Sequence, residues 1–294
     1  MSTFGDEKTV ELIRDEFIPV AIDQWYTRSQ EDAEGEFYRR IAAQGPRTDF
    51  EQTTQGFYLA DAAGNLLGYN NNRHGTPLKR LLIQTANSFN ENETFEPIVQ
   101  DIADERYTRV VPEGTVTVRV NAKILGGYDE PESQWDEIFQ NAVSRDNLWI
   151  LSGEIESLSR GEFPVALATR IARFHLVDNT RGEPVMWRAD QVKELEISLS
   201  DGLITGNAYL ETDDGKRHYR VALRGHVEFE DGRLSRFDIV ALGKHFGHGW
   251  YTPDPPDGEF PLAVTFRLAD GSSVSDSVPP QGTKGWLPQY VELR

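Results

Sequence analysis

The sequence predicts an α+β chain of two unlike parts, and three observations carry that expectation. Residues 1–90 switch between helical and strand-like periodicity, as an α/β unit does. Residues 114–294 repeat apolar side chains at every second position in segment after segment, the pattern of antiparallel strands with one buried face. Residues 91–113 lose periodicity and gain acidic and amide side chains, which marks a linker. A chain of 294 residues is long enough for two cores.

In the first part, Asp6 is a candidate N-cap, and Val10, Ile13 and Phe17 with Leu12 beside them give a helix over 6–16. The apolar run Phe17-Ile18-Pro19-Val20-Ala21-Ile22 reads as a strand buried on both faces. Ala33, Phe37 and Ile41 form the stripe of a second helix, stopped by Gly45-Pro46. Gly56–Ala60 and Leu66–Tyr69 flank Asp61-Ala62-Ala63-Gly64-Asn65, whose glycine and Asn/Asp chemistry suits a hairpin turn. Thr76-Pro77 opens a last helix with Leu78, Leu81 and Leu82 facing inward, and Asn70-Asn71-Asn72-Arg73-His74 before it reads as a polar turn.

That order, with Phe4-Gly5-Asp6-Glu7-Lys8-Thr9-Val10, Phe17–Asp23, Gly56-Phe57-Tyr58-Leu59 and Asp61-Ala62-Ala63-Gly64, resembles the thioredoxin-like superfamily over residues 4–90. The resemblance implies a thioredoxin-like fold for 1–90. It transfers no active-site residue, because the family's CxxC segment has no counterpart here and Gln55 stands where the family's cis-proline would be. The chain contains no cysteine at all, so disulfide exchange, thiolate nucleophiles, iron–sulfur clusters and cysteine-ligated zinc are closed to it. A CxxC upstream of Met1 would change that expectation.

In the second part, alternation predicts strands at 115–122, 148–156, 166–177, 193–199, 203–211, 217–229, 234–242 and 261–268. Asp201-Gly202, Asp213-Asp214-Gly215 and Asp231-Gly232 give hairpin-length gaps. The expectation is an antiparallel meander, either a sandwich or a partly closed barrel. Trp135, Ile138, Phe139 and Val143 share one face of a helix over 133–143.

The formal net charge is −18, from 48 acidic and 30 basic side chains. Such a surface repels phosphate backbones and anionic lipid, so neither nucleic acid nor membrane is expected as a partner. The first residues show no basic and apolar leader pattern and the chain no run long enough to span a bilayer, which predicts a soluble chain; location stays open.

Chemistry has one candidate segment, Gly243–Tyr251. His245 and His248 stand three apart among glycines, a spacing that lets two imidazoles turn to one divalent metal ion, with His175, Asp178, His226 and Asp254 as further donors. Phe246, Trp250 and Tyr251 in the same segment are candidate ligand-binding aromatics, with Phe260, Phe266, Trp286, Tyr290 and several prolines able to extend an apolar groove or cap a core. The acidic turns at 211–215 and 228–232 lack EF-hand spacing, and no G-x-S-x-G, Walker or G-x-G-x-x-G motif occurs. The expected function is non-redox binding or scaffolding of a protein or small-molecule ligand without a cofactor; a metal-dependent enzyme built on His245 and His248 is the alternative.

Overall fold

A computed structural model describes residues 6–72, 75–89, 104, 110–283 and 287–292. The chain divides into two compact units, 1–108 and 109–294. Most of the expected linker, along with Phe4, Gly5, Arg73, His74 and Trp286, lies outside the described residues.

Unit 1 holds helices α1 (Glu7–Glu16), α2 (Gln24–Thr27) and α3 (Ala33–Ala42), a hairpin of β1 (Phe57–Ala60) and β2 (Leu66–Asn70), and helix α4 (Gly75–Ser88). Asp6 anchors α1 to α4 by accepting from Thr9 Oγ1 at 2.6 Å and Lys79 Nζ at 3.0 Å. Asp61 builds the hairpin turn, accepting from the Ala63 and Asn65 amides while Gly64 takes φ +83°. Three buried leucines, Leu59, Leu78 and Leu82, form the centre, with Leu12, Ile13 and Phe17 against them.

Two expectations need correction in unit 1. The face of α3 that is buried carries Gly35, Tyr38 and Ala42, with Ala33, Phe37 and Ile41 half-buried beside it, and Tyr38 reaches Thr54 at 2.6 Å. Residues 17–22 form no strand. Ile18 is 92% exposed and Val20 72%, and Pro19 removes a ladder donor from the middle of the run. The helices and the hairpin expected in this unit are present, and that strand is not.

Unit 2 is organised by one curled antiparallel sheet of seven strands, a half-barrel in the order β4-β3-β9-β8-β7-β6-β5. The strands are β3 (Val116–Ile124), β4 (Asp146–Ile150), β5 (Val192–Ser200), β6 (Leu203–Glu211), β7 (His218–Glu230), β8 (Arg233–Phe246) and β9 (Glu259–Leu268). Helix α5 (Gln134–Gln140) connects β3 to β4 where a helix was expected. The turns at Asp201-Gly202 and Asp231-Gly232 have positive φ at both residues, the backbone of tight hairpins that continue the strand twist.

The half-barrel corrects the sandwich alternative and two of the strands. Residues 152–159 and 165–170 are helices α6 (Ser152–Ser159) and α7 (Val165–Arg170), and α7 runs into a π-helical turn at Ile171–His175. Leu158, Leu167, Ile171 and Phe174 from these helices join Ile204, Leu223, Phe237, Ile239, Leu262 and Phe266 from the strands in one buried cluster. Helices rather than a second sheet thus cover the inner face. The C-terminal helix α8 (Leu287–Val291) adds Tyr290 to the same cluster.

Candidate functional site

Strand alternation and register decide what the inner face offers. Leu195 lies opposite Ala208 and then Val221; Ile197 lies opposite Gly206 and then Leu223. Gly206 breaks the apolar row, since a Cβ there would lie 2.4 Å from the Glu196 carbonyl oxygen. The absent side chain lets β5 and β6 approach closely at this point. A groove of about 520 Å³ opens there, between Phe163, Val165 and Ala168 on one wall and Leu195, Ile197 and Leu223 on the other. Ser198, Thr205, Asn207 and Arg224 border it with hydrogen-bonding groups. The volume falls in the range of small-molecule sites, which pair apolar walls with a few polar groups.

The two sheet edges explain why the groove opens at β5. The β4 edge is covered: Asn147 Nδ2 donates to the Ser275 and Val278 carbonyls at 2.7 Å, and Asp146 accepts from the Gln281 amide at 2.9 Å. Asp276 adds to this strap by accepting from Arg119 and Arg145. At the opposite edge β5 pairs, among the described residues, with β6 alone. Val165 at the mouth is 81% exposed.

Behind the groove, buried polar groups fix the helices. Arg170, fully buried, pairs with Glu154 and donates to the carbonyls of Trp149 at 3.3 Å and Tyr290 at 3.4 Å. Glu154 also accepts from the Leu151 amide, which starts α6. His175 Nε2 lies 2.8 Å from the Tyr290 hydroxyl, and its Nδ1 lies 3.2 Å from the Asp146 carboxylate. Burial pushes the Tyr290 phenol well above its ordinary range. His175 and Tyr290 are only 2% and 1% exposed, so this polar group lies inside the core.

A second polar knot holds the 250–252 segment. Arg181 pairs with Asp178 at 2.6 Å, donates to the Tyr128 hydroxyl at 2.6 Å and reaches the Thr252 carbonyl at 3.1 Å. Thr252 is fully buried and accepts from the Gly249 amide at 2.8 Å. Gly182 is packed so closely that a Cβ would come within 2.1 Å of the Tyr251 carbonyl oxygen.

The expected site residues of 243–251 fall into separate surroundings. His245 ends β8, buried among the rings of Trp187, Tyr219 and Phe260 at centroid distances of 6.5, 5.5 and 5.1 Å. Burial lowers its pKa to about 4, with Asp178 opposing the shift, so it is neutral at pH 7. Its Nδ1 has no hydrogen-bond partner. His248 is exposed, with Nδ1 2.8 Å from the Gly249 carbonyl oxygen. Phe246 stacks on His218 at 5.1 Å, while Trp250 and Tyr251 project at 84% and 62% exposure.

The further donors are dispersed as well. His175 faces Tyr290, Asp178 faces Arg181, His226 lies exposed on the outer face of β7, and Asp254 sits exposed with φ +56°. Among the described residues no group of three or more His, Asp or Glu side chains could hold a metal ion. Phe260, Phe266 and Tyr290 cap the core. Sequence reading missed the groove itself, whose walls look like ordinary core residues; Gly206 inside a strand pattern was the available signal, since such a glycine marks a bulge or a close backbone approach.

No helix among the described residues is long and apolar enough to cross a membrane. No protein-family model, curated protein or solved structure matches the chain.

Proposed function

We propose that the chain is a non-redox binding protein whose half-barrel unit takes a small amphipathic ligand in the groove between α7 and strands β5–β7. The groove carries this reading: apolar walls from Leu195, Ile197, Leu223 and Phe163 suit an apolar body, and Ser198, Thr205 and Asn207 at its border suit a hydrogen-bonding end. Unit 1, lacking any thiol, acts through its surface as a scaffold, for which its exposed Ile18, Val20 and Ile22 are the contact residues. Trp250 and Tyr251 remain secondary ligand contacts on the pinned segment after β8. The metal-enzyme alternative gains no support from the separate surroundings of His245 and His248.

The test uses 1-anilinonaphthalene-8-sulfonate as the probe. Titration into the full chain should give saturable fluorescence, and a probe at about 100 times its Kd should stabilise the fold by about 2.7 kcal/mol in thermal unfolding. Ala168→Phe fills the groove from the α7 side and should abolish both signals while circular dichroism stays unchanged. Saturable binding that survives Ala168→Phe in a folded variant sinks the proposal.

A further inference from the structure

We propose that the outer face of the same sheet docks an acidic protein segment bearing apolar side chains. The alternation that turns Val221, Leu223, Ile239 and Ala241 inward turns Arg220, Ala222, Arg224, Val240, Leu242 and Lys244 outward. Register then aligns Ala222, Leu242, Ala263 and Lys123 in one row across β7, β8, β9 and β3. At the usual strand spacing that row spans roughly 14 Å. Val240 and Leu242 in its middle are 51% and 49% exposed.

Cations surround this apolar strip. Arg220 lies directly opposite Lys244, and Arg119 directly opposite Arg267. Like charges facing each other across strands weaken a sheet, so folding gains nothing from either juxtaposition. Arg119 is held by Asp270 and Asp276, and Arg220 lies 3.8 Å from Glu194. Lys123, Arg224, Lys244 and Arg267 form no ion pair among the described residues. Several carboxylates of these strands are already engaged, Glu228 and Asp238 by Arg236 and Glu259 by His218.

Such a cluster in a chain of net charge −18 is complementary to a partner of opposite sign. A screening length of about 8 Å at physiological salt keeps distant carboxylates from cancelling the local field. Charge complementarity with an apolar centre fits a short segment that alternates Asp or Glu with Leu-like side chains. A duplex or a bilayer extends far past the strip and meets the acidic remainder of the surface, which disfavours both.

The experiment measures binding of a short fluorescein-labelled peptide of Asp-Glu-Leu repeats to the full chain by anisotropy. Wild type should bind, more weakly as salt rises, and should ignore a Lys-Lys-Leu counterpart. Arg267→Glu combined with Lys244→Glu, and separately Leu242→Ser, should each weaken binding about tenfold or more, while Ala168→Phe leaves it unchanged. All three sites outside the groove are exposed, so melting curves check that the variants stay folded. Absent binding, or equal binding by the variants, overturns the proposal. Tighter binding to phosphatidylserine vesicles or single-stranded DNA overturns it too, as does a dimer in sedimentation velocity that the same substitutions dissolve, which would make the occupant a second copy.

Discussion

Ile18 and Ile239 both sit in segments that the sequence reads as strands, yet the first is 92% exposed and the second 1%. The difference lies in what each unit supplies around the segment. Ile239 in β8 faces Gly225 across one ladder and Phe266 across the other, and helices close over the inner face above it. Ile18 belongs to a segment outside the described two-stranded sheet of unit 1, with Pro19 beside it. Hydrophobicity along a chain is therefore a demand for cover; neighbouring strands with matching register meet that demand in unit 2.

The largest effect that sharpens this contrast comes from Ile239→Ala. Removing a fully covered side chain loses its transfer free energy and leaves a cavity, so unit 2 should lose about 2–5 kcal/mol in urea unfolding. A loss below about 1 kcal/mol would mean that the half-barrel core is far less tightly packed than its burial indicates.

The same contrast explains what could be read in advance. Strands at 193–199, 203–211, 217–229, 234–242 and 261–268 were legible because alternation and turn chemistry agree: Asp-Gly pairs stand where the backbone needs two positive φ angles. The segment 166–177 was misread as a strand because Arg170, Arg173 and His175 interrupt its apolar residues in a polar-apolar rhythm. Leu167, Ile171 and Phe174 in fact follow a helical spacing. Arg170, Arg173 and His175 find partners in Glu154, backbone carbonyls and Tyr290, 14 to 120 residues away, that no local window contains. The groove was hidden for the same reason, since its walls come from α7 and from three strands. His245, the candidate metal ligand of the sequence, is buried among the rings of Tyr219 and Phe260.

That burial gives the next smaller prediction. An imidazole held neutral with a pKa near 4, against about 6.5 when unfolded, binds fewer protons folded than unfolded between those values. Its contribution is complete above pH 6.5 and is lost as pH falls towards 4, amounting to about 3 kcal/mol at most. His245→Phe keeps an aromatic ring in the box and should flatten this part of the stability-against-pH curve relative to wild type. Identical slopes for the two proteins between pH 6.5 and 4 would show that His245 does not titrate in this way.

The smallest effect is the most discriminating for unit 1. Ile18 makes so little contact that Ile18→Ala should change stability by no more than about 0.5 kcal/mol, the ordinary range for exposed positions. If Ile18 instead lay in a strand buried on both faces, as its sequence setting suggested, the same substitution would cost about 2–5 kcal/mol. The two outcomes are well separated in urea unfolding, and the comparison with Ile239→Ala holds the chemistry of the deletion constant. A small effect at residue 18 beside a large one at 239 would agree with residues 18–22 being an available surface in the free chain, as the scaffolding role of unit 1 requires.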